Sequence, residues 1–306
     1  MNAGDGGGDA ILREAEGLVG AALLEDVGEG DWTTLWTVDG GLRSEGWIVA
    51  KESLTLAGIW VAESVFHKVD PSLEVTALAE DGARLEAGAE LLRVHGSTRS
   101  ILTAERVALN FLGRLSGIAT LARRFVDEVR GTEARVTDTR KTTPGWRHLE
   151  KWAVRMGGVT NHRMGLYDMV LVKDNHIAAA GGLRHAVERV RAENDRGLEV
   201  EVEIVRPEQA DELRGLGVER ILLDNMEESQ LRAAVSSVGG WASPRPELEA
   251  SGNMTLDRVR RVAETGVDWI SIGALTHSAR TADVSLSIST PTSSVSTPPI
   301  AASGDR

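Results

Sequence analysis

From about residue 133 onward the chain repeats one unit: a short run rich in Val, Ile and Leu, a turn, and an amphipathic stretch. The runs lie at 134–138, 169–173, 199–204, 220–224, 247–251 and 269–273, with helical stretches between them, for example at 180–194, 207–215, 226–237 and 255–265. Successive strands joined by helices return to the same end of a sheet, so the sheet is parallel. Six or seven such units imply a barrel or near-barrel. Each run ends at or near a polar residue or glycine: Asp138, Lys173, Glu203, Asp224, Ser251 and Gly273. Barrel enzymes build their sites at that end of the strands.

The segments upstream read differently. Residues 1–9 are Gly-rich and are expected to be disordered. Ile11, Leu12, Ala15, Leu18, Val19, Ala22 and Leu23 then mark one apolar helix face. Residues 45–98 hold short strand candidates (Trp47–Ala50, Leu54–Ala57, 73–75 and 90–94) punctuated by Gly58, Asp81-Gly82, Gly88 and Gly96, with a helix at 59–68. This describes a small α+β domain over 10–115. Two helices, 100–115 and 117–130, are expected to bridge it to a barrel spanning 116–284. The last 22 residues, 285–306, contain 13 Ser, Thr or Pro and read as a disordered tail.

Charge narrows the function. The formal net charge is −12, which disfavours nucleic acid and anionic membranes as partners. With no cysteine there is no disulfide framework, no thiolate nucleophile and no Cys-ligated metal site. No run approaches the roughly 20 apolar residues of a membrane span. The N-terminus lacks a basic region followed by an apolar core, so a cytoplasmic location is expected. Only five of the 34 basic residues are lysine, a composition that suits either high intracellular salt or a GC-rich genome.

Against this background residues 138–176 stand out. They hold seven Arg or Lys, four acids, three of the five lysines and three of the seven histidines. A local cationic cluster on an anionic chain points to a small polyanionic substrate. Arg140, Lys141, His162, Arg163 and Lys173 are the candidates, whereas Lys151 and Arg155 read as a salt-bridged surface helix. Complementary acids follow: alternation places Glu199, Glu201 and Glu203 on one strand face, and Asp224 ends the next strand. Glu203 and Asp224 are of the type that holds Mg²⁺ on phosphate oxygens, or faces a developing cation. Ser251-Gly252-Asn253 and Gly273-Ala274-Leu275-Thr276 each follow a strand and precede a helix, where small residues let backbone N–H groups approach a phosphate.

The 138–176 block, together with Leu24-Glu25-Asp26 through Gly30-Asp31-Trp32-Thr33-Thr34, Glu105-Arg106-Val107-Ala108-Leu109-Asn110, Leu222-Leu223-Asp224-Asn225-Met226, Glu249–Asn253 and Gly273–Ser278, resembles the quinolinate phosphoribosyltransferases over about 12–284. The resemblance implies an α/β fold: an N-terminal α/β sandwich-like domain, to which the chain returns near 275–284, and an incomplete α/β barrel of about seven strands. It implies a homodimer, open to further assembly, with each site completed by the neighbouring subunit, and transfer of phosphoribose from phosphoribosyl pyrophosphate (PRPP) to quinolinate, with Mg²⁺ and loss of CO₂, in de novo NAD synthesis. By the same resemblance, Arg140, His162, Arg163 and Lys173 bind the quinolinate carboxylates, and Thr139 and Lys141 line that pocket. Arg106 is donated across the dimer. Ser251, Gly252, Asn253, Gly273 and His277 surround the phosphate, Glu203 and Asp224 lie near ribose and metal, and Glu203, Asp224, Lys141 and Lys173 are the expected catalytic groups. Trp146, Trp152 and the 239–246 stretch depart from the family pattern, and none carries the chemistry.

The residue types agree with that reaction independently. Two polyanionic substrates demand several desolvated cations, and a carboxylate such as Glu203 can stabilise an oxocarbenium-like centre. Two other readings share the fold: a sister phosphoribosyltransferase of the molybdenum-transport-associated type, and a non-catalytic anion-binding protein.

Overall fold

A computed structural model describes residues 6–289. The N-terminal part comprises α1 (Gly6–Val27), α2 (Trp32–Thr37), β1 (Arg43–Ala50), β2 (Leu54–Thr55), α3 (Ile59–Val69), β3 (Glu74–Ala77), β4 (Arg84–Leu85) and β5 (Glu90–Ser97). A long helix, α4 (Thr98–Glu128), leads into β6 (Arg135–Thr137), α5 (Arg147–Met156), β7 (Val170–Val172), α6 (Asp174–Ala180), α7 (Leu183–Glu193), β8 (Val200–Ile204) and α8 (Ala210–Leu213). Then come β9 (Arg220–Asp224), α9 (Glu228–Gly239), β10 (Glu247–Ser251), α10 (Leu256–Ala263), β11 (Trp269–Ser271), α11 (Ala274–His277) and β12 (Val284–Ser289).

All six strand runs of the second half form one parallel sheet in the order β6-β11-β10-β9-β8-β7. A single parallel bridge, Thr137 to Thr160, extends it beyond β6. Nothing among the described residues pairs Thr160 with β7, so the barrel stays open. Along β8, Val200, Val202 and Ile204 are buried toward the helices, which leaves Glu201 and Glu203 on the inner face. Register then sets the depth of each inward side chain: Glu203 pairs with Leu222, Leu222 with Glu249, and Asp224 with Ser251. The polar strand ends thus arrive at one rim.

The N-terminal sheet is antiparallel, in the order β12-β1-β5-β3. Its buried face, carrying Ile48, Ala50, Leu92 and Val94, packs on α3 and α4. Strand β12 comes from the far end of the chain and pairs with β1 from Glu45–Ser289 to Ala50–Val284. Residues 285–289 are therefore a strand and not part of a disordered tail. The Ser/Thr-rich composition masks a period-2 pattern in which Val284 and Leu286 pack against the core and serines alternate with them. Residues 290–306 lie outside the described residues.

Three other expectations change. Helix α1 starts at Gly6, inside the segment expected to be disordered, because extending a helix already anchored by Ile11, Ala15 and Val19 costs far less than nucleating one; residues 1–5 lie outside the described residues. The 207–215 stretch is a 3₁₀ turn followed by the short α8. The two expected bridging helices are one, since α4 runs through Gly117 without a break. That glycine serves contact, not interruption: a Cβ there would collide with the Arg280 carbonyl oxygen, and one at Gly113, a turn earlier, would lie 2.8 Å from the Ala282 carbonyl oxygen. The pair lets the segment returning to β12 cross directly over the helix, with Ala282 N–H donating to Gly113 O at 2.9 Å. Gly117→Ala is expected to destabilise the protein by about 1–3 kcal/mol, the usual cost of overpacking. A shift in the urea midpoint checks this; an unshifted midpoint would show that the crossing has room to spare.

Candidate active site

The C-terminal strand ends enclose a cavity of about 680 Å³. Asp138, Lys173, Glu203, Asp224 and Ser251 all line it, five of the six strand-end residues singled out in the sequence. Gly273 lies in a contiguous cavity of about 310 Å³ with His277. The two cavities share Thr139, Lys141, Ser251, Gly252, Asn253 and Ser271, so they form one two-lobed site.

The larger lobe is cationic on one side. Arg140, Lys141, His162, Arg163 and Lys173 converge there from three separate loops. Arg163 is half-buried and anchored by its guanidinium to the Met169 carbonyl at 3.0 Å; burial and the neighbouring Arg140 charge both press its pKa down. Lys173, at the end of β7, donates to Glu203 Oε2 at 3.0 Å from a half-exposed position. Lys141 is pinned through its backbone: its N–H donates to Thr139 Oγ1 at 3.0 Å and its carbonyl accepts from Thr276 Oγ1 at 2.7 Å. Gly273 makes room for it, since a Cβ there would sit 2.9 Å from Lys141 Cδ and 3.2 Å from His277 Nε2.

The floor of this lobe is an ionic layer inside the barrel. His162 Nε2 lies 3.0 Å from Glu201 Oε2 and 3.5 Å from Glu249 Oε2. Arg220 reaches Glu249 at 3.0 Å from below and stacks on Trp269, whose other neighbour is Arg135. Both glutamates are fully buried. Burial pushes against ionisation of each. Glu249 is nevertheless held below its ordinary value by His162 and Arg220, while Glu201, which also faces the Glu249 charge, is pushed up. For His162, burial pulls the pKa down, and the hydrogen bonds and charges of Glu201 and Glu249 outweigh it and raise the pKa to about 9.

A second buried layer fixes the loops. Lys151, expected on the surface, is 1 % exposed and donates to Asp138 Oδ1 at 2.6 Å and to the His162 carbonyl at 2.9 Å. Burial raises Asp138 and lowers Lys151. Asp138 also receives the His162 N–H at 2.8 Å and Asn161 Nδ2 at 2.7 Å, so this pair holds the Asn161–Arg163 segment and does not itself present charge to a ligand. Only Arg155 remains on the surface, over the Trp152 ring. On the other side, buried Glu150 accepts from Arg114 at 2.7 Å and from the Thr143 N–H and hydroxyl, while Arg114 also donates to the Thr276 and Ala279 carbonyls. Helix α4 thereby ties the Lys141 loop to the Gly273 loop.

Arg106 is the one predicted site residue that the fold keeps away from the cavity; it is exposed on α4 and lines neither lobe. Sequence reasoning did not single out Glu249, Arg220, Asn225 or Glu150. The alternation that marked Glu203 also places Glu201 inside, but the pairing of Glu201 with Glu249 depends on strand order. Glu203 and Asp224, on adjacent strand ends with oxygens facing the cavity, are hard donors of the kind Mg²⁺ takes alongside substrate phosphates, so the donor set fits that ion.

A two-domain chain with an open parallel barrel and a rim of cations facing two carboxylates defines an enzyme of the barrel phosphoribosyltransferase type. Residues 31–116 match the family model described as the quinolinate phosphoribosyl transferase N-terminal domain, and 118–287 match its C-terminal domain. The chloroplastic nicotinate-nucleotide pyrophosphorylase [carboxylating] of Oryza sativa subsp. japonica is 42 % identical over 90 % of this chain and 78 % of its own. The probable enzyme of that name from Synechocystis is 45 % identical over 82 % and 85 %. The structure of the Francisella tularensis nicotinate-nucleotide pyrophosphorylase superposes with a TM-score of 0.86 at 35 % identity, covering 90 % of this chain and 96 % of that one. The chain belongs to the quinolinate phosphoribosyltransferase family.

The His162 charge is open to direct test. Its folded pKa, about 9, lies above the ordinary 6.5, so its contribution to stability is complete below about pH 6.5 and is lost as pH rises through 9. Histidine NMR is expected to show one imidazole titrating near 9, moved down by Glu249→Gln. A full set of midpoints near 6.5 would contradict the carboxylate clamp.

Proposed function

We propose that the protein transfers the phosphoribosyl group of PRPP to the ring nitrogen of quinolinate and releases pyrophosphate and CO₂, yielding nicotinate mononucleotide for NAD synthesis. The observation that carries this reading is the two-lobed site, with a cationic larger lobe and a smaller lobe of small residues and backbone turns. Arg140, Arg163, His162 and Lys173 hold the two quinolinate carboxylates; an arginine fork pairs with a carboxylate through two parallel hydrogen bonds. The 5-phosphate of the donor sits among Ser251, Gly252, Asn253, Gly273 and His277, and Thr139 and Lys141 lie between the lobes.

Displacement at the anomeric carbon builds positive charge on the ribose. Glu203, held by Lys173, is placed to stabilise it. Mg²⁺ held by Glu203 and Asp224 would supply charge neutralisation for the pyrophosphate. Once the ring nitrogen is bonded to ribose it is cationic. When the adjacent carboxylate departs as CO₂ the electron pair stays on the ring carbon, stabilised by the neighbouring positive nitrogen, and a proton from solvent then completes the C–H bond of nicotinate mononucleotide. No covalent nucleophile enters this sequence. A cytoplasmic setting belongs to the same reading; no described helix is long and apolar enough to cross a membrane.

Arg106 gives the reading its quaternary part. It lies outside its own cavity, and a homodimer in which α4 of one subunit faces the cavity of the other would bring it to the substrate. Mixing inactive Arg106→Ala and Lys173→Ala proteins under subunit exchange is expected to restore about a quarter of wild-type activity, because half of randomly paired dimers are mixed and each keeps one intact site. No recovery, with exchange demonstrated, would remove the shared site.

The activity itself is tested by loss of quinolinate absorbance with PRPP and Mg²⁺. Arg140→Ala and Lys173→Ala are each expected to lower kcat/KM by at least about 100-fold, the scale of a lost desolvated charge pair, with unchanged circular dichroism. Near-wild-type turnover in either variant refutes the pocket assignment.

A further inference from the structure

Two non-glycine residues of the described chain have left-handed backbone, and both are asparagines at this site: Asn225 (φ 53°) and Asn253 (φ 50°). They occupy the turns that leave the adjacent strands β9 and β10. Asparagine tolerates this conformation better than other side-chain-bearing residues, but glycine would carry no penalty at all. Strain at two neighbouring turns therefore calls for a use of the side chains.

The contacts supply one. Asn225 Nδ2 donates to Asp224 Oδ2 at 2.8 Å, and Asn225 Oδ1 accepts from Asn253 Nδ2 at 3.2 Å. The Asn225 N–H donates to the Ser251 carbonyl at 2.9 Å. Gly252 lies so close that a Cβ would collide with Asn225 Oδ1, so its lack of a side chain, at φ 96°, admits the amide. Behind the turns Arg258 donates to the Gly252 carbonyl at 3.1 Å and to the Met226 carbonyl at 2.7 Å, binding the same two segments from the helix side.

We propose that Asn225 is a positioning residue: its amide clasps Asn253 and Asp224 and fixes the distance between the carboxylate at the end of β9 and the Ser251–Asn253 turn, so that a phosphorylated ribose spans them without loop rearrangement. The inference rests on the phosphoribosyl-transfer reading. A clasp of this kind sets the spacing for the sugar phosphate, and its amide bonds only Asp224 and Asn253, not the cations Arg140, His162, Arg163 and Lys173 assigned to quinolinate.

Glycine is the informative substitution, because it keeps the left-handed backbone and removes only the amide. Binding is read by calorimetry with ribose 5-phosphate, without metal or turnover, and separately with quinolinate. Asn225→Gly is expected to weaken ribose 5-phosphate by about tenfold, equivalent to about 1.4 kcal/mol, and to leave quinolinate within about twofold. Asn225→Asp keeps the side-chain shape, so the strand end is not loosened, but turns an acceptor toward Asp224, and is expected to give the same pattern. Asn225→Gly combined with Asn253→Gly is expected to cost less than the sum of the two single changes, the signature of coupled residues. Wild-type ribose 5-phosphate affinity in both Asn225 variants, or strict additivity with Asn253→Gly, overturns the clasp. A wild-type protein that binds neither ribose 5-phosphate nor quinolinate overturns the functional reading itself.

Discussion

Charge buried inside the open barrel is the constraint on which the rest depends. Most parallel barrels fill their interior with branched apolar side chains. Here His162, Glu201, Glu249 and Arg220 occupy that space at the level just below the cavity. Removing such groups from water costs several kcal/mol each unless every one has an opposite partner. The layer meets this by alternation: Arg220 faces Glu249, and both glutamates face His162. The stacked Arg135, Trp269 and Arg220 close the barrel underneath. Because this floor has fixed positive and negative positions, the cavity above it has a fixed polarity before any substrate arrives.

The same economy appears in the loops. Rim loops carrying Arg140, Lys141 and Arg163 would be mobile if solvent were their only partner. Two buried carboxylates prevent this. Asp138 gathers Lys151, Asn161 and the His162 backbone, and Glu150 gathers Thr143 and Arg114. Preorganised cations lose little freedom on binding, which is the condition under which they stabilise a transition state and not merely a bound anion. Helix α4 contributes Arg114 to its own site and, in the proposed dimer, Arg106 to the neighbour. The close crossing at Gly113 and Gly117 locks that helix to the returning chain that forms β12.

The sequence alone determined much of this. The strand–helix repeat dictated a parallel sheet, since no other arrangement buries both faces of six such strands with helices between them. Polar strand ends at Lys173, Glu203, Asp224 and Ser251 marked the rim, because period-2 alternation fixes which residues share a face. The excess of cations in 138–176 pointed to an anionic substrate, because Arg140, Lys141, His162, Arg163 and Lys173 outnumber the acids near them on a net-negative chain.

What the tertiary structure decided was pairing. Lys151 has the sequence context of a surface helix residue, and only the packing of α5 against the barrel buries it on Asp138. Glu249 reads as an ordinary strand residue until β10 is placed two strands from β8 and both turn their glutamates to His162. Ser-rich β12 has a weak alternation that means little until β1 offers it an edge. Gly117 looks like a helix break, and becomes a contact point only because a segment more than 160 positions away crosses it. In each case the energy comes from partners distant along the chain, and burial and charge compensation depend on which groups meet, a relation that local sequence pattern does not encode.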